Sequence, residues 1–478
     1  MKKFYAYLFA AVAWMGFAAC SEDATTDEVA PEVENGQVTM VEFFAQADNV
    51  RTELDDAQKT KWHKEDLISL FDGENKEFKV KDYTDPYNVS FEGELTKGEA
   101  YMALYPHTAT ATADVKNCTI SNVVVPAAQT LTAGTFAEGA AVAVAYTTDN
   151  TLSFKNVVSI LKFQVATACE TITITSDEPL AGTIDVTYDG QNEPTISVKK
   201  AEYTLTLTGP FATGQTYYAT VLPGASNATY EVRFNGYLST KKTAGKPRQR
   251  SVMMNMQSLP APELRLVPNS NWKQANARFA VYLFGGDTDA WIGLTNDGND
   301  VYACDLPLDK GYKAGIFCRM NPDNQTNGWT TKWSQTQDMY FTDAKNDYTC
   351  TILEHANAWE KAGYWDLEKD YIYLYPNDNW SSSDPRFAVY LFGNGEGWAN
   401  MEQEGGSSAT KGRCIYRYKL NSKFPNLIFC RMNPDNATNG WSTRWNQSED
   451  INSAVNYGGQ VYVVKQGSWD AGGGDWVQ

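Results

Sequence analysis

A long internal repeat constrains this chain more than any other feature. Residues 317–335 read FCRMNPDNQTNGWTTKWSQ, residues 429–447 read FCRMNPDNATNGWSTRWNQ, and fifteen of these nineteen positions are identical. The heptapeptide RFAVYLF recurs unchanged at Arg278–Phe284 and Arg386–Phe392. Residues 263–370 and 371–478 each comprise 108 residues, enough for one compact β-sandwich. The repeat therefore predicts two tandem domains rather than the short units of a solenoid.

Aromatic residues are concentrated in these repeats. Twelve of the fourteen tryptophans lie after residue 262. Strand alternation places Tyr282 and Phe284 on the face opposite the core-facing side chains of the heptapeptide. Trp291 and Trp398 follow short glycine-rich loops, which can return them beside the tyrosines. Flat aromatic rings suit the apolar face of a sugar ring, so the repeats predict a carbohydrate-binding surface.

The long repeat also supplies polar side chains. Arginine offers a fork of donors, and glutamine carries both donors and acceptors, so either type matches sugar hydroxyls. The indoles Trp329 and Trp333 lie four residues apart in a segment that is predicted to be a loop. Buried tryptophans in a turn that satisfies its own backbone would give the same pattern, so both interpretations stay open. The candidate carbohydrate-binding residues are Tyr282, Phe284, Trp291, Arg319, Trp333, Gln335, Tyr390, Phe392, Trp398, Arg431, Trp445 and Gln447.

The N-terminus reads as a targeting segment. Lys2 and Lys3 precede an apolar run that extends to residue 19, which predicts a signal peptide over residues 1–19. Cys20 at this junction resembles the lipobox of bacterial lipoproteins, which implies acylation of its thiol, and secretion with simple cleavage is the alternative. The acidic residues that follow resemble the surface-export signal of Bacteroides-like bacteria. This resemblance implies a surface-exposed lipoprotein of the Gram-negative outer membrane.

Charge and composition argue against several classes of function. Without residues 1–19 the chain has 38 basic and 58 acidic residues, a net charge of about −20 that disfavours nucleic acid and anionic membranes as partners. His63, His107 and His355 are far apart, acidic residues are scattered rather than clustered in aromatic contexts, and no HExxH or CxxC motif is present. We therefore predict no catalysis, no cofactor and no metal site. Spacing leaves open a disulfide between Cys304 and Cys350.

Between residues 41 and 258 the chain consists of short alternating runs divided by Gly, Pro, Asn and Asp, which is typical of all-β domains. The segments VRTEL at 50–54, ALYP at 103–106, VVVPAAQT at 123–130 and LSFKNVVSILKFQV at 152–165 resemble fimbrillin-family proteins. That resemblance implies two stacked transthyretin-like β-sandwiches, assembly by strand donation and processing after an arginine. Arg51 is in about the right place for processing, and an ordinary surface charge is the alternative.

The predicted fold is all-β, in seven segments. They are a signal peptide at 1–19, an acidic tether at 20–40, β-sandwiches at 41–165 and 166–258, a linker at 259–262, and carbohydrate-binding-like repeats at 263–370 and 371–478. Polymerising fimbrillins end close to their second sandwich, whereas this chain continues. The resemblance therefore implies a tip subunit, an accessory subunit or a stand-alone surface lipoprotein.

The repeats resemble the family 26 starch-binding module. The likeness rests on AVYLF, on IFCRMNP and on the ending W-x-Q-(T/S)-x-D, all present in both copies. It implies that aromatic rings and a glutamine cradle α-1,4-linked glucose, with Phe284 and Phe392 standing where a second tyrosine is common. The residues that match the family's pattern are Tyr282, Trp291 and Gln335, then Tyr390, Trp398 and Gln447.

These observations predict a non-catalytic, surface-exposed lipoprotein that binds polysaccharide through two tandem aromatic sites on a fimbrillin-like stem. Starch-like α-glucan is the expected ligand. The alternative is a fimbrial tip or accessory subunit that acts as an adhesin for host or partner-cell glycans, or for protein. Other fimbrial subunits and the outer membrane, through the lipid, are the further expected partners.

Overall fold

The computed structural model describes residues 38–46, 53–54, 60–343, 348–404, 413–470 and 473–477. Nearly all regular elements are β-strands, which confirms the predicted all-β class. No helix among the described residues is long and apolar enough to cross a bilayer. The signal peptide, Cys20 and Arg51 lie outside the described residues. The helical turns in the described part are Asp378–Ser381 (α) and Gln274–Asn276, Leu308–Lys310, Phe341–Asp343 and Ala454–Tyr457 (3-10).

An eight-stranded sheet organises the N-terminal part. Across the sheet the strands are Thr151–Ser153, Val38–Gln46, Asn88–Thr96, Asn75–Asp85, Leu67–Phe71, Tyr101–Tyr105, Ala143–Thr147 and Lys155–Asn156. Alternate residues of Tyr101–Tyr105 pack into two different cores, Tyr101 and Ala103 in one, Met102 and Leu104 in the other. The whole strand is therefore buried. Glu53–Leu54 and Thr60–Lys61 form a separate short pair.

Three further sheets complete the part of the chain from residue 38 to residue 259, which we call the stem. The four-stranded sheet has, in spatial order, Thr195–Glu202, Ala181–Thr187, Thr119–Val125 and Thr112–Asp114. The five-stranded sheet has Ala128–Thr130, Thr204–Phe211, Cys169–Ser176, Thr229–Phe234 and Tyr237–Thr243. The three-stranded sheet has Tyr217–Val221, Ser159–Val165 and Met253–Leu259. These sheets cross the predicted boundary between residues 165 and 166. Ala181–Thr187 pairs with Thr119–Val125, and Ser159–Val165 pairs with Met253–Leu259. The predicted boundary therefore does not separate the sheets. Alternation in the sequence predicts where a strand lies but not which strand it pairs with.

The two repeats are built alike. The first has, in spatial order, Lys332–Gln335, Ala314–Met320, Arg278–Phe284, Ala290–Gly298, Val301–Asp305, Glu263–Val267, Tyr348–Ile352 and Gly363–Tyr364, with Met339–Tyr340 also paired to Ala314–Met320. The second has Gly397–Asn400, Arg386–Phe392, Asn426–Met432 and Arg444–Gln447 in one sheet, and Glu402–Gln403, Tyr416–Lys419, Tyr371–Tyr375, Val461–Val464 and Gly474–Val477 in the other. The continuous strand Ala290–Gly298 joins both halves of the first repeat. Its counterpart in the second repeat is divided at Met401.

A buried tryptophan anchors each repeat. Trp272 is fully buried and stacks on Phe279 with ring centroids 6.3 Å apart, and its Nε1 donates to the Trp359 carbonyl at 2.9 Å. Trp380 and Phe387 repeat the stack at 6.4 Å. Phe279 and Phe387 belong to the RFAVYLF strands, so one face of each strand lines the core as the alternation predicts.

The stem packs directly against the first repeat. The predicted linker at 259–262 is short, because one strand ends at Leu259 and the next begins at Glu263. The Tyr237 hydroxyl of the stem donates to the Tyr312 carbonyl at 3.3 Å, and its ring lies 5.3 Å from that of Tyr348. One continuous apolar cluster extends from the stem into the repeat.

The two repeats also contact each other. Gln337 is fully buried, and its Nε2 donates to the Glu404 carbonyl of the second repeat at 3.0 Å. The Tyr375 hydroxyl donates in the other direction, to the Glu360 carbonyl. Tyr373 and Tyr375 are part of the apolar cluster of the first repeat. The repeats are therefore joined by buried contacts as well as by the short chain junction.

We expect Trp272→Ala to lower the free energy of unfolding by about 3–5 kcal/mol, the usual cost of removing a large buried aromatic side chain. Denaturant unfolding followed by fluorescence measures this loss. Trp469, which is 49% exposed, serves as the control, because its replacement by alanine removes much less buried surface than the loss of Trp272. Equal losses for the two variants would contradict the anchoring role of Trp272.

Candidate functional site

Three antiparallel strands bring aromatic side chains together in the first repeat. Tyr282 lies directly opposite Trp291 on one neighbouring strand and opposite Ile316 on the other. Directly opposite residues share a face of the sheet, so these side chains stand together on the face away from the core. The Tyr282 and Trp291 rings are 5.2 Å apart, and Phe284 stacks on Tyr282 at 6.0 Å. The sequence-predicted pairing of Tyr282 with Trp291 is thus present in the structure.

A third indole comes from the loop after Ala314–Met320. The Trp329 ring lies 4.7 Å from that of Tyr282 and 4.9 Å from that of Trp291, both in edge-to-face geometry. Aromatic pairs at such distances stabilise each other by about 0.5–1.5 kcal/mol beyond area burial. Trp329 stays 47% exposed, whereas Tyr282 and Trp291 are half-buried. We call Tyr282, Phe284, Trp291 and Trp329 the aromatic platform.

The second repeat contains the same platform. The Tyr390 ring lies 5.1 Å from Trp398 and 4.5 Å from Trp441, and the two indoles are 5.1 Å apart. Phe392 stacks on Tyr390 at 5.9 Å. Tyr390 is only 9% exposed, whereas Trp441 is 46% exposed. In the second platform the loop tryptophan is therefore much more exposed to water than the tyrosine.

The structure assigns the paired loop tryptophans to different places. The sequence prediction included Trp333 and Trp445 and left the role of Trp329 and Trp441 open. Trp333 lies against Arg319, with the guanidinium carbon 4.5 Å from the ring centroid, and Trp445 lies against Arg431 at the same distance. Both indoles remain exposed, so their role in binding stays a prediction. The sequence does not single out Trp329 and Trp441, because both tryptophans of NGWTTKW and NGWSTRW are unchanged between the copies.

The predicted donor arginines are structural. Arg319 is 7% exposed, and it donates to the carbonyls of Trp272 at 2.9 Å and Gln274 at 2.6 Å. Arg431 donates to the carbonyls of Trp380, at 2.8 Å, and Ser382. Burial lowers the pKa of both guanidinium groups, but the groups remain paired with backbone oxygens. Their assignment to the ligand site is not supported, because their donors serve the fold.

Gln335 lies on the same sheet face as the platform. It pairs with Cys318, which itself lies opposite Ala280 two residues from Tyr282. Its Oε1 accepts from Lys332 Nζ at 2.8 Å, and its Nε2 donates to the Thr336 carbonyl at 3.2 Å. A sugar hydroxyl that binds Gln335 would therefore have to replace one of these intramolecular hydrogen bonds. Gln447 takes the matching position opposite Cys430.

One arginine holds the loop that carries Trp329. Arg278 begins the platform strand, and its Nε donates to the Asn321 carbonyl at 3.1 Å while its Nη2 donates to the Thr326 carbonyl at 2.8 Å. Its Nη1 donates to the Asn327 side chain. A planar fork with several donors can bridge a loop in this way, which a lysine cannot do. The indole is thereby presented on a loop that is already fixed.

Arg386 performs the same task in the second repeat. Its Nε donates to the Asn433 carbonyl at 3.2 Å, and its Nη2 donates to the Thr438 carbonyl at 2.9 Å. Its Nη1 donates to the side chain of Asn439, two residues before Trp441. Both arginines were read in the sequence only as part of the RFAVYLF repeat. Their function depends on contacts across more than forty residues of chain, which local sequence patterns do not reveal.

Each platform tyrosine bonds to an acidic side chain from the loop that follows its strand. The Tyr282 hydroxyl donates to Asp289 Oδ2 at 2.6 Å, and this bond raises the pKa of Tyr282. Burial, followed by a hydrogen bond to Glu396, raises the pKa of Tyr390. Tyrosine already titrates near pH 10, so both hydroxyls are neutral donors at physiological pH.

Metal-ligating and thiol side chains form a separate class of candidate groups from the rings of the platforms. No cluster of three His, Cys, Asp or Glu side chains among them is arranged to hold a metal ion. The spacing in the sequence left open a disulfide between Cys304 and Cys350, but both are free thiols in the structure. Cys318, under the first platform, is fully buried, and burial raises its pKa to about 12, so it is not a thiolate at neutral pH.

Comparison with known proteins gives distant structural similarities. No family model and no curated protein matches the chain. Family 41 carbohydrate-binding modules from streptococcal virulence factors, described for α-glucan recognition, are 15% identical with a TM-score of 0.15 over 43% of this chain and 94% of theirs. The tip fimbrial protein Mfa3 from Porphyromonas gingivalis is 10% identical with a TM-score of 0.23 over 56% and 100%. A streptococcal ancillary pilin is 10% identical with a TM-score of 0.16 over 66% and 98%.

We expect Arg278→Lys to free the loop that carries Trp329. Loss of charged hydrogen bonds worth about 1.5–3 kcal/mol should speed hydrogen exchange across residues 321–331 about ten-fold or more. Mass spectrometry of the exchange measures this change. Arg265→Lys is the control, because Arg265 forms a half-exposed ion pair with Glu263 away from the platform. Unchanged protection in Arg278→Lys would contradict the role of the fork.

Proposed function

We propose that this protein binds polysaccharide non-catalytically through its two aromatic platforms, with starch-like α-glucan as the ligand. We also propose that a lipid on Cys20 anchors it at the outer surface of the outer membrane, where the fimbrillin-like stem displays the platforms. The observation that carries the proposal is the duplicated ring cluster in which an exposed indole is held rigidly over a half-buried or buried tyrosine.

The geometry fits weak, repeated sugar contacts. An exposed indole face covers the apolar C–H side of a pyranose, with a gain of about 1–2 kcal/mol per stacked sugar by analogy with aromatic pairs and buried apolar area. Sugar hydroxyls lose water on binding and need polar partners, so affinity per site stays modest. The neighbouring carboxylates and Gln335 provide acceptors for those hydroxyls.

Two platforms on one chain increase the affinity for a polymer. Once one platform is occupied, the second meets the same glycan at a high effective concentration. The buried contact from Gln337 to Glu404 and the shared apolar cluster hold the repeats together. Little conformational entropy is therefore lost when both sites bind the same glycan. Long chains should therefore bind more tightly than short oligosaccharides.

Affinity electrophoresis in gels with and without amylopectin tests the proposal. We expect the wild-type protein to be retarded, and Trp329→Ala combined with Trp441→Ala to weaken binding about ten-fold or more, because each variant removes the exposed stacking surface. Tyr203→Ala, which removes an exposed ring of the stem, is the matched control. Absence of retardation by any α-glucan, together with incorporation into pili, would support the adhesin alternative instead.

Single substitutions test the use of both platforms. With a short malto-oligosaccharide, we expect calorimetry to give two sites for the wild-type protein and one for Trp329→Ala or Trp441→Ala. With long amylose, each single variant should lose more affinity than with the oligosaccharide, because avidity disappears along with one contact. A stoichiometry of two in a single variant would show that the removed indole is not part of a site.

A further inference from the structure

A pocket beside the second platform is lined by carboxylates as well as rings. It has a volume of about 410 Å³, within the usual range for ligand pockets. Trp441 and Tyr390 form its aromatic side, while Glu396 and Asp450 supply its charged groups. The lining includes no lysine or arginine. Ligand groups that enter this pocket therefore meet hydrogen-bond acceptors and negative charge.

Both acidic positions recur in the first repeat. Asp289 stands two residues before Trp291, as Glu396 stands two residues before Trp398. The connecting loops differ in length, GGDTDA against GNGEG, yet the acidic residue and its bond to the platform tyrosine are kept. Asp338 stands three residues after Gln335, as Asp450 stands three residues after Gln447. The copies have diverged elsewhere in these segments, so the shared carboxylates are a common property of the two sites.

Basic groups lie beside the loop indoles of the platforms but do not line the pocket. Lys332 Nζ lies 5.9 Å from the centre of the Trp329 ring and donates to Gln335 Oε1 at 2.8 Å. The Arg444 guanidinium carbon lies 5.1 Å from the centre of the Trp441 ring, and Arg444 does not line the pocket. These cations contact the indoles, whereas the pocket beside the tyrosine keeps its negative character. The formal net charge of −18 adds a repulsive long-range field.

We propose that Asp289, Asp338, Glu396 and Asp450 make the platforms selective for uncharged glycans. An ionised carboxylate only accepts hydrogen bonds, so it can receive two neighbouring sugar hydroxyls but repels the carboxylates of uronic acids and the sulfates of anionic glycans. The inference rests on the proposed carbohydrate binding and narrows its ligand class. It separates neutral storage-type polysaccharides from the acidic glycans that many surfaces carry.

Amylose and carboxymethyl-amylose provide a matched pair of probes, because they share a backbone and differ in charge. At low ionic strength we expect the wild-type protein to bind carboxymethyl-amylose about ten-fold or more weakly than amylose, and added salt should narrow this ratio. In the combined variant Asp289→Asn, Asp338→Asn, Glu396→Gln and Asp450→Asn, the ratio should fall to about three-fold or less. Gel retardation or biolayer interferometry measures both affinities.

The control changes net charge equally at a distance. Replacing the exposed stem residues Glu65, Glu77, Glu94 and Glu99 by glutamine should leave the ratio near its wild-type value. The selectivity inference would be overturned if the control variant lowered the ratio of the two affinities as much as the platform variant does. It would also be overturned if the wild-type protein bound both polymers equally, and either result would leave glucan binding intact. Failure of the wild-type protein to bind amylose at all would instead overturn the proposed function.

Discussion

A tryptophan on a loop adds to a binding surface only if the loop itself is held in place. Arg278 and Arg386 meet this requirement, because each guanidinium gathers carbonyl and amide oxygens from the segment that leads to the exposed indole. The ring then rests edge-to-face on a tyrosine whose position is set by strand pairing. Without the fork, the indole would have to be ordered at the moment of binding, and that entropy would be lost from the affinity.

The RFAVYLF strand of each repeat has one face on the core and the other on the platform. Phe279 faces inward and stacks on Trp272, while Tyr282 faces outward beneath Trp329. This division follows from the two-residue period of a strand, and it places a rigid core directly behind the platform. A site built on strands keeps its geometry better than one built on loops alone. The heptapeptide shared by the two repeats therefore supplies both core residues and platform residues.

The architecture below the platforms is continuous. Strands from both predicted sandwiches are joined through shared sheets, and an apolar cluster runs from the stem into the first repeat and on to Tyr373 and Tyr375. Tyr203 marks a point at which the chain leaves one sheet and enters another, since the strands on its two sides pair with Ala181–Thr187 and Cys169–Ser176. Such exchanges of partner are invisible in a local pattern, because alternation looks the same in either sheet.

The sequence was sufficient to predict the all-β class, the duplication, and the pairing of Tyr282 with Trp291, because period-two alternation and internal identity can be read directly from the residues. It did not determine the role of Arg319, which resembles a ligand-binding fork but is buried against backbone carbonyls. It also did not show that Trp329 packs on Tyr282 whereas Trp333, four residues later, stacks on Arg319. These assignments depend on tertiary contacts, because the groups that surround each side chain come from segments that are distant in the chain.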